Sequence, residues 1–335
     1  MTPLFLGLGG PALSADERDL FRAADPAGFI LFKRNVVDRA QLRALTDALR
    51  ALSGRDDLPI LIDQEGGRVA RMQPPEWPAF PTGERFAALY DIAPMTAIEA
   101  ARANARAIAA TLAEVGITVD CLPLLDVRQP GAHDIIGDRA LGTEPMRVAA
   151  LGRAVIEGLR DGGVVGVVKH IPGHGRSMAD SHVELPVVDA DAEALEIDLA
   201  PFIALRGAPM AMTAHVVYTA WDAENCATLS ARVIGDIIRG RIGFDGLLMS
   251  DDLGMHALKG DFGARATGVL AAGCDIALHC SGDLAEMKAC VDAVSEISAA
   301  ARDRLERAMA TLQAKIALPG LDALIAARDG LMAAA

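Results

Sequence analysis

No stretch of this 335-residue chain reaches the ~18 consecutive apolar residues that a membrane-spanning helix needs, so no membrane partner is expected. Aromatic residues are scarce, at 4%, and no Lys- or Arg-rich block interrupts a chain whose formal net charge is −13. Nucleic-acid binders present a basic footprint and stacking platforms, so nucleic acid is not an expected partner either. The five cysteines (Cys121, Cys226, Cys274, Cys280 and Cys290) are odd in number, and none forms a C-x-x-C pair. That pattern speaks against a disulfide framework or a zinc ribbon and fits small hydrophobes in a reducing compartment. The N-terminus, MTPLFLGLGGPALSADERD, has no basic n-region, so it predicts no secretory signal and a cytoplasmic location.

What the chain does have is 52% hydrophobic residues against 23% charged ones, enough for a full core. Short apolar runs bounded by turn residues predict eight strands, near Leu4–Leu8, Phe29–Phe32, Pro59–Asp63, Asp120–Leu125, Val164–Lys169, Ala211–His215, Gly246–Ser250 and Asp275–His279. Most are apolar throughout, as strands covered on both faces should be. Helical patterns lie between them. Thr96 to Val115 places Ile98, Ala101, Ala105, Ile108, Leu112 and Val115 on one face, and Leu305, Ala308, Leu312 and Ile316 repeat the pattern before Pro319-Gly320. Eight strand–helix alternations predict a single (β/α)8 barrel over residues 1–335 with C-terminal helices; the open doubly wound sheet is the alternative. That alternative lacks a dinucleotide turn, because GLGGPAL puts Pro where helix formers belong. The Pro-rich stretch Gln73–Gly83 reads as an ordered loop over one barrel mouth.

Catalytic residues of such barrels sit at the C-terminal ends of strands. Polar residues gather at those ends here: Asp63, Asp126, Lys169-His170, His215 and Asp251. Any one of them could cap a helix or complete a core hydrogen bond. Five strand ends converging in this way point to a site.

The segment KHIPGHGRSMADSH, Lys169–His182, packs three histidines and an Asp-Ser-His tripeptide into one loop. His170 and His174 have i, i+4 spacing, but Pro172, Gly173 and Gly175 oppose the helix that would make them a metal pair, and no third ligand motif follows. Neither metal nor cofactor is expected. Asp180 and His182 are close enough for the carboxylate to fix the imidazole tautomer, an acid–base arrangement. No G-x-S-x-G elbow is present. Asp251, in LLMSDDLGM, offers a carboxylate nucleophile, and a carboxylate plus a separate proton donor is what retaining glycoside cleavage requires. A non-catalytic sugar-binding barrel and a metal-dependent hydrolase remain as alternatives.

DQEGGRVAR (Asp63–Arg71), IGDRALG (Ile136–Gly142), KHIPGHG with DSH, MTAH (Met212–His215) and SDDLGM (Ser250–Met255) together resemble family 3 glycoside hydrolases. The likeness is narrowest to the short bacterial β-N-acetylglucosaminidases (β-hexosaminidases) and runs over nearly the whole chain. It implies Asp251 as nucleophile, His182 as general acid/base oriented by Asp180, and Asp63, Arg71, Arg139, Lys169 and His170 as sugar-binding residues. It further implies release of terminal β-linked N-acetylglucosamine from muropeptides during cell-wall recycling; a monomer is expected. Ile171 stands where Phe is common in that group, and Gly254 where Ser is common. A β-glucosidase or a phosphorolytic enzyme of the same family is the nearest rival.

Overall fold

All eight predicted strands form, and most are apolar on both faces. In the computed structural model, which describes residues 1–179 and 184–333, they are β1 (Thr2–Leu6), β2 (Pro26–Leu31), β3 (Ile60–Ile62), β4 (Val119–Asp120), β5 (Val165–Ile171), β6 (Met210–Thr213), β7 (Leu247–Asp252) and β8 (Ile276–His279). Each pairs in parallel with its neighbours in chain order. The sheet closes where β1 meets β8, in the register Leu4–Ala277, Phe5–Leu278, Leu6–His279. Closure settles the fold as a (β/α)8 barrel and removes the open sheet. β4 is shorter than expected because Pro123 has no N–H to give the ladder; Leu124 regains a single bridge to Lys169.

Side chains alternate across the barrel wall with the period of two that strands impose. Phe5, Ile30, Leu61, Val119, Val165, Val167, Met210, Met212, Leu247, Met249, Ile276 and Leu278 share one buried cluster. Their neighbours Leu4, Leu6, Phe29, Leu31, Ile60, Ile62, Val168, Ala211, Leu248 and Ala277 share another with the surrounding helices. The first set fills the barrel and the second binds the helix ring to it. That ring comprises α1 (Ala15–Ala24), α2 (Arg39–Ser53), α3 (Gly83–Ile92), α4 (Pro94–Glu114), α5 (Pro145–Asp161), α6 (Ala192–Ala204), a π-type helix over Val233–Ile242, α7 (Phe262–Ala272) and α8 (Leu284–Ala293). No helix among the described residues is long and apolar enough to cross a membrane.

Helix starts are fixed by side chains. Ser14 and Glu17 form a reciprocal capping box, and Asp38, Asp191, Asp261 and Asp283 each accept from first-turn amides.

Two helices follow the ring, α9 (Ala299–Ala310) and α10 (Leu321–Ala333). From α9, Ala301, Leu305, Ala308 and Met309 join the cluster that fills the barrel, alongside Met1. The helix pattern expected to run on to Ile316 is corrected here. α9 ends at Ala310, a tight turn covers Thr311–Ala314, and Ile316 is exposed. The Ile316 N–H donates to the Asp161 carbonyl at 2.9 Å, drawing the chain across to the end of α5. The Pro-rich stretch is ordered, and it reaches into the core as well as spanning the surface: Trp77 and Phe80 are buried.

Candidate active site

The alternation that fills the barrel also builds the site. Continuing the inward set by one more step at the C-terminal end of five of the strands gives Phe32 after Ile30, Asp63 after Leu61, Lys169 after Val167, Asp251 after Met249 and Cys280 after Leu278. All five line one cavity of about 330 Å³ together with Glu65, Arg68, Val69, Arg71, Ile135, Ile136, Arg139, His170, His174, Asp252 and Met255. Sites for small ligands commonly hold ~300–1,000 Å³.

Ion pairs form its floor. Lys169, 2% exposed, donates to Asp63 Oδ1 at 3.1 Å and lies 2.7 Å from Glu65 Oε1. Arg71 donates to Asp63 Oδ2 at 2.8 Å, and Arg139 grips both oxygens of Glu65 at 2.8 Å. Burial by itself would raise both carboxyls, but Lys169 with Arg71 holds Asp63 well below the usual carboxylate range, and Arg139 with Lys169 holds Glu65 down at about 2. Burial likewise opposes the charge on Lys169, and Glu65 and Asp63 overcome it, so the ammonium stays charged. The guanidinium of Arg71 also lies 5.1 Å from the centre of the Phe32 ring.

A second cluster lies on β5 and the loop after it. Asp126 is fully buried and accepts from the backbone N–H of His170 at 3.1 Å and of His174 at 2.7 Å; its other oxygen meets His170 Nδ1 at 2.8 Å. Burial would raise this carboxyl, but the His170 ring holds it at about 2, so it is ionised and Nδ1 of His170 carries the donated proton. The His174 ring is 5.6 Å from that of His170, and burial together with His170 pushes its value down to about 4. Among the described residues, no group of three or more His, Cys, Asp or Glu is arranged to hold a metal ion.

Asp251 lies at the end of β7, where its Oδ1 accepts from the Asp252 N–H at 2.8 Å. Asp252 lines the cavity as well, but its Oδ1 is braced, accepting from the N–H groups of Gly254 at 2.9 Å and Cys280 at 3.0 Å. Neither Asp63, Asp126 nor Asp251 caps a helix; that role goes to Asp38, Asp191, Asp261 and Asp283.

The structure thus brings Asp63, Arg71, Arg139, Lys169, His170 and Asp251 to one cavity. Asp180 and His182 lie outside the described residues. Sequence reasoning did not single out Glu65, although it links Lys169 to Arg139; it lies past the end of β3 in a short hairpin. The apolar wall of Val69, Ile135, Ile136 and Met255 was also missed, because no barrel strand carries it.

Residues 7–313 match the family described as glycosyl hydrolase family 3 N terminal domain. The chain is 42% identical over 284 residues to a beta-hexosaminidase of Alkalilimnicola ehrlichii, covering 83% of this chain and 80% of that one. To the beta-hexosaminidase of Aromatoleum aromaticum it is 40% identical, covering 83% and 79%. Among solved structures it resembles NagZ from Neisseria gonorrhoeae in complex with N-trifluoroacetyl-D-glucosamine, with a TM-score of 0.88 and 31% identity over 99% of this chain and 98% of that one. A family 3 β-N-acetylglucosaminidase from Paenibacillus matches with a TM-score of 0.81 and 33% identity, over 98% and 61%.

Proposed function

The chain belongs to glycosyl hydrolase family 3 and is a hydrolase of the β-N-acetylhexosaminidase type, and from that premise we propose that it releases terminal β-linked N-acetylglucosamine from muropeptide fragments in the cytoplasm, as a step of peptidoglycan recycling. The observation that carries this reading is the convergence of Asp251 with the Asp63–Lys169–Glu65–Arg139 network on one cavity. Fixed carboxylates and fixed cations side by side suit a neutral ring of hydroxyls, each of which both donates and accepts.

In the proposed mechanism Asp251 attacks the anomeric carbon and forms a glycosyl–aspartate. Its reacting oxygen must be an anion, and the Asp252 N–H supports that charge. His182, oriented by Asp180, protonates the departing oxygen and then takes a proton from water, which breaks the glycosyl–enzyme bond. Asp63, Arg71, Arg139, Lys169 and His170 hold the non-reducing sugar. The reading takes the chain as one catalytic barrel acting as a monomer without a cofactor.

Hydrolysis of chromogenic β-N-acetylglucosaminide, β-N-acetylgalactosaminide and β-glucoside side by side tests the substrate. The N-acetylglucosaminide should be turned over fastest, and a preference for the glucoside would overturn the proposal. Early proton NMR spectra should show the β-anomer first; the α-anomer first would exclude the covalent route.

A further inference from the structure

We infer that His215 is a positioning residue for the Asp251 carboxylate, acting through the backbone of Asp252. The inference rests on Asp251 being the attacking group. His215 follows β6 by two residues and is fully buried. Its Nε2 lies 3.0 Å from the Asp252 carbonyl oxygen, and its Nδ1 lies 2.8 Å from the Thr228 hydroxyl. A carbonyl only accepts, so Nε2 carries a proton and donates it. The Thr228 hydroxyl also stands 2.8 Å from that of Thr213, whose proton it can accept, and 3.0 Å from the Ala214 carbonyl, so its own proton is shared between that carbonyl and Nδ1. That relay satisfies an uncharged ring, and burial pushes His215 below the ordinary histidine value, in the direction of that uncharged form.

Asp252 is the joint between this relay and Asp251. Its side chain is fixed by Gly254 and Cys280, its carbonyl by His215, and its N–H holds the Asp251 carboxylate. Without Nε2, the carbonyl keeps the Met255 N–H at 3.2 Å, a bond within its own turn. The peptide can then rotate, and the N–H that orients Asp251 turns with it. A histidine that only filled space would not need a donor at this one point.

Glutamine and asparagine separate the two roles. The amide nitrogen of Gln sits as many bonds from Cα as Nε2 does, whereas that of Asn matches Nδ1. His215→Gln should keep kcat on an aryl β-N-acetylglucosaminide within about tenfold of wild type, and His215→Asn should lose about 100-fold in kcat at nearly unchanged KM, the scale of a misplacement of ~1 Å. Equal kcat values for the two variants, or a loss confined to KM, would overturn the inference. If either variant fails to fold, nitrogen NMR of the wild-type imidazole decides. A proton on Nε2 is expected, and a bare Nε2 with the proton on Nδ1 overturns it. Wild-type turnover by Asp251→Asn would instead overturn the reading of Asp251, which keeps the two failures apart.

Discussion

Two adjacent aspartates close β7, and their surroundings assign them different work. Both line the cavity, but Asp252 has its Oδ1 tied to the amides of Gly254 and Cys280, whereas Asp251 Oδ1 accepts from the adjacent Asp252 N–H. Asp251→Asn should lower kcat by on the order of 10⁴-fold with the fold intact, as removal of a covalent nucleophile does. Asp252→Asn keeps an acceptor oxygen at Oδ1 and should lose far less; the reverse order in steady-state rates would exchange their roles. Glu65 offers a separate test. Glu65→Gln leaves Arg139 and Lys169 sharing too little negative charge in a buried place, and should cost roughly 3 kcal/mol in denaturant unfolding. A cost below about 1 kcal/mol, the scale of an exposed pair, would show that cavity water already screens the network. At this scale the sequence disclosed residues that lie one inward step past the barrel-filling side chains of a strand, such as Asp63 after Leu61 and Lys169 after Val167. It hid Glu65, because the chain folds back there in a small hairpin pairing Gln64–Gly66 with Val69–Ala70, and no periodicity announces a hairpin of that size.

Among the elements, strands and ring helices were legible because their apolar spacing is local and long enough to count. The end of α9 was not. Leu312 and Ile316 keep the 3.6-residue rhythm of Leu305 and Ala308, yet the Ile316 N–H is taken by Asp161, a partner far away in the chain. Leu305 and Ile316 therefore look alike in the sequence and differ in burial, 4% exposed against 53%. Leu305→Ala should cost about 2–5 kcal/mol of stability, the range for a truncated core leucine, and leave KM unchanged. Ile316→Ala should stay within about 0.5 kcal/mol of wild type. Urea unfolding of the two variants checks both, and similar costs would mean that Ile316 packs against something in solution.

For the whole molecule, strand count and apolar faces pointed to a barrel, but closure depends on β1 meeting β8 across nearly the full length of the chain, which no local window contains. The pH dependence of stability is likewise a property of the assembled interior. Asp120 is fully buried, and burial pushes its carboxyl up to about 8, while its contact with the Gln64 N–H and the nearby Lys169 pull the other way. The folded chain then binds a proton that the unfolded chain releases above about 4, so this group's contribution to stability falls as pH rises from about 4 to about 8. Asp63, Glu65 and Asp126, held below the usual range, act oppositely: their contribution is complete above about 4 and is lost as pH falls through their folded values. Asp120→Asn should therefore raise Tm relative to wild type by more at pH 8 than at pH 5. An equal difference at both would show that Asp120 is already ionised in the folded state.

The barrel interior is packed by its inward side chains and stoppered at the far end by α9 and Met1, so among the described residues the cavity is a blind pit with one doorway. Whatever enters must leave the way it came, and traffic through that doorway has an order. On the proposed function the sugar unit would sit deepest, against Lys169, with the leaving fragment between it and solvent until the fragment departs. Free N-acetylglucosamine, the last guest to go, should thus compete directly with substrate, while the released fragment should inhibit in a mixed fashion. Product-inhibition kinetics with the two components will tell whether the queue runs in that sequence.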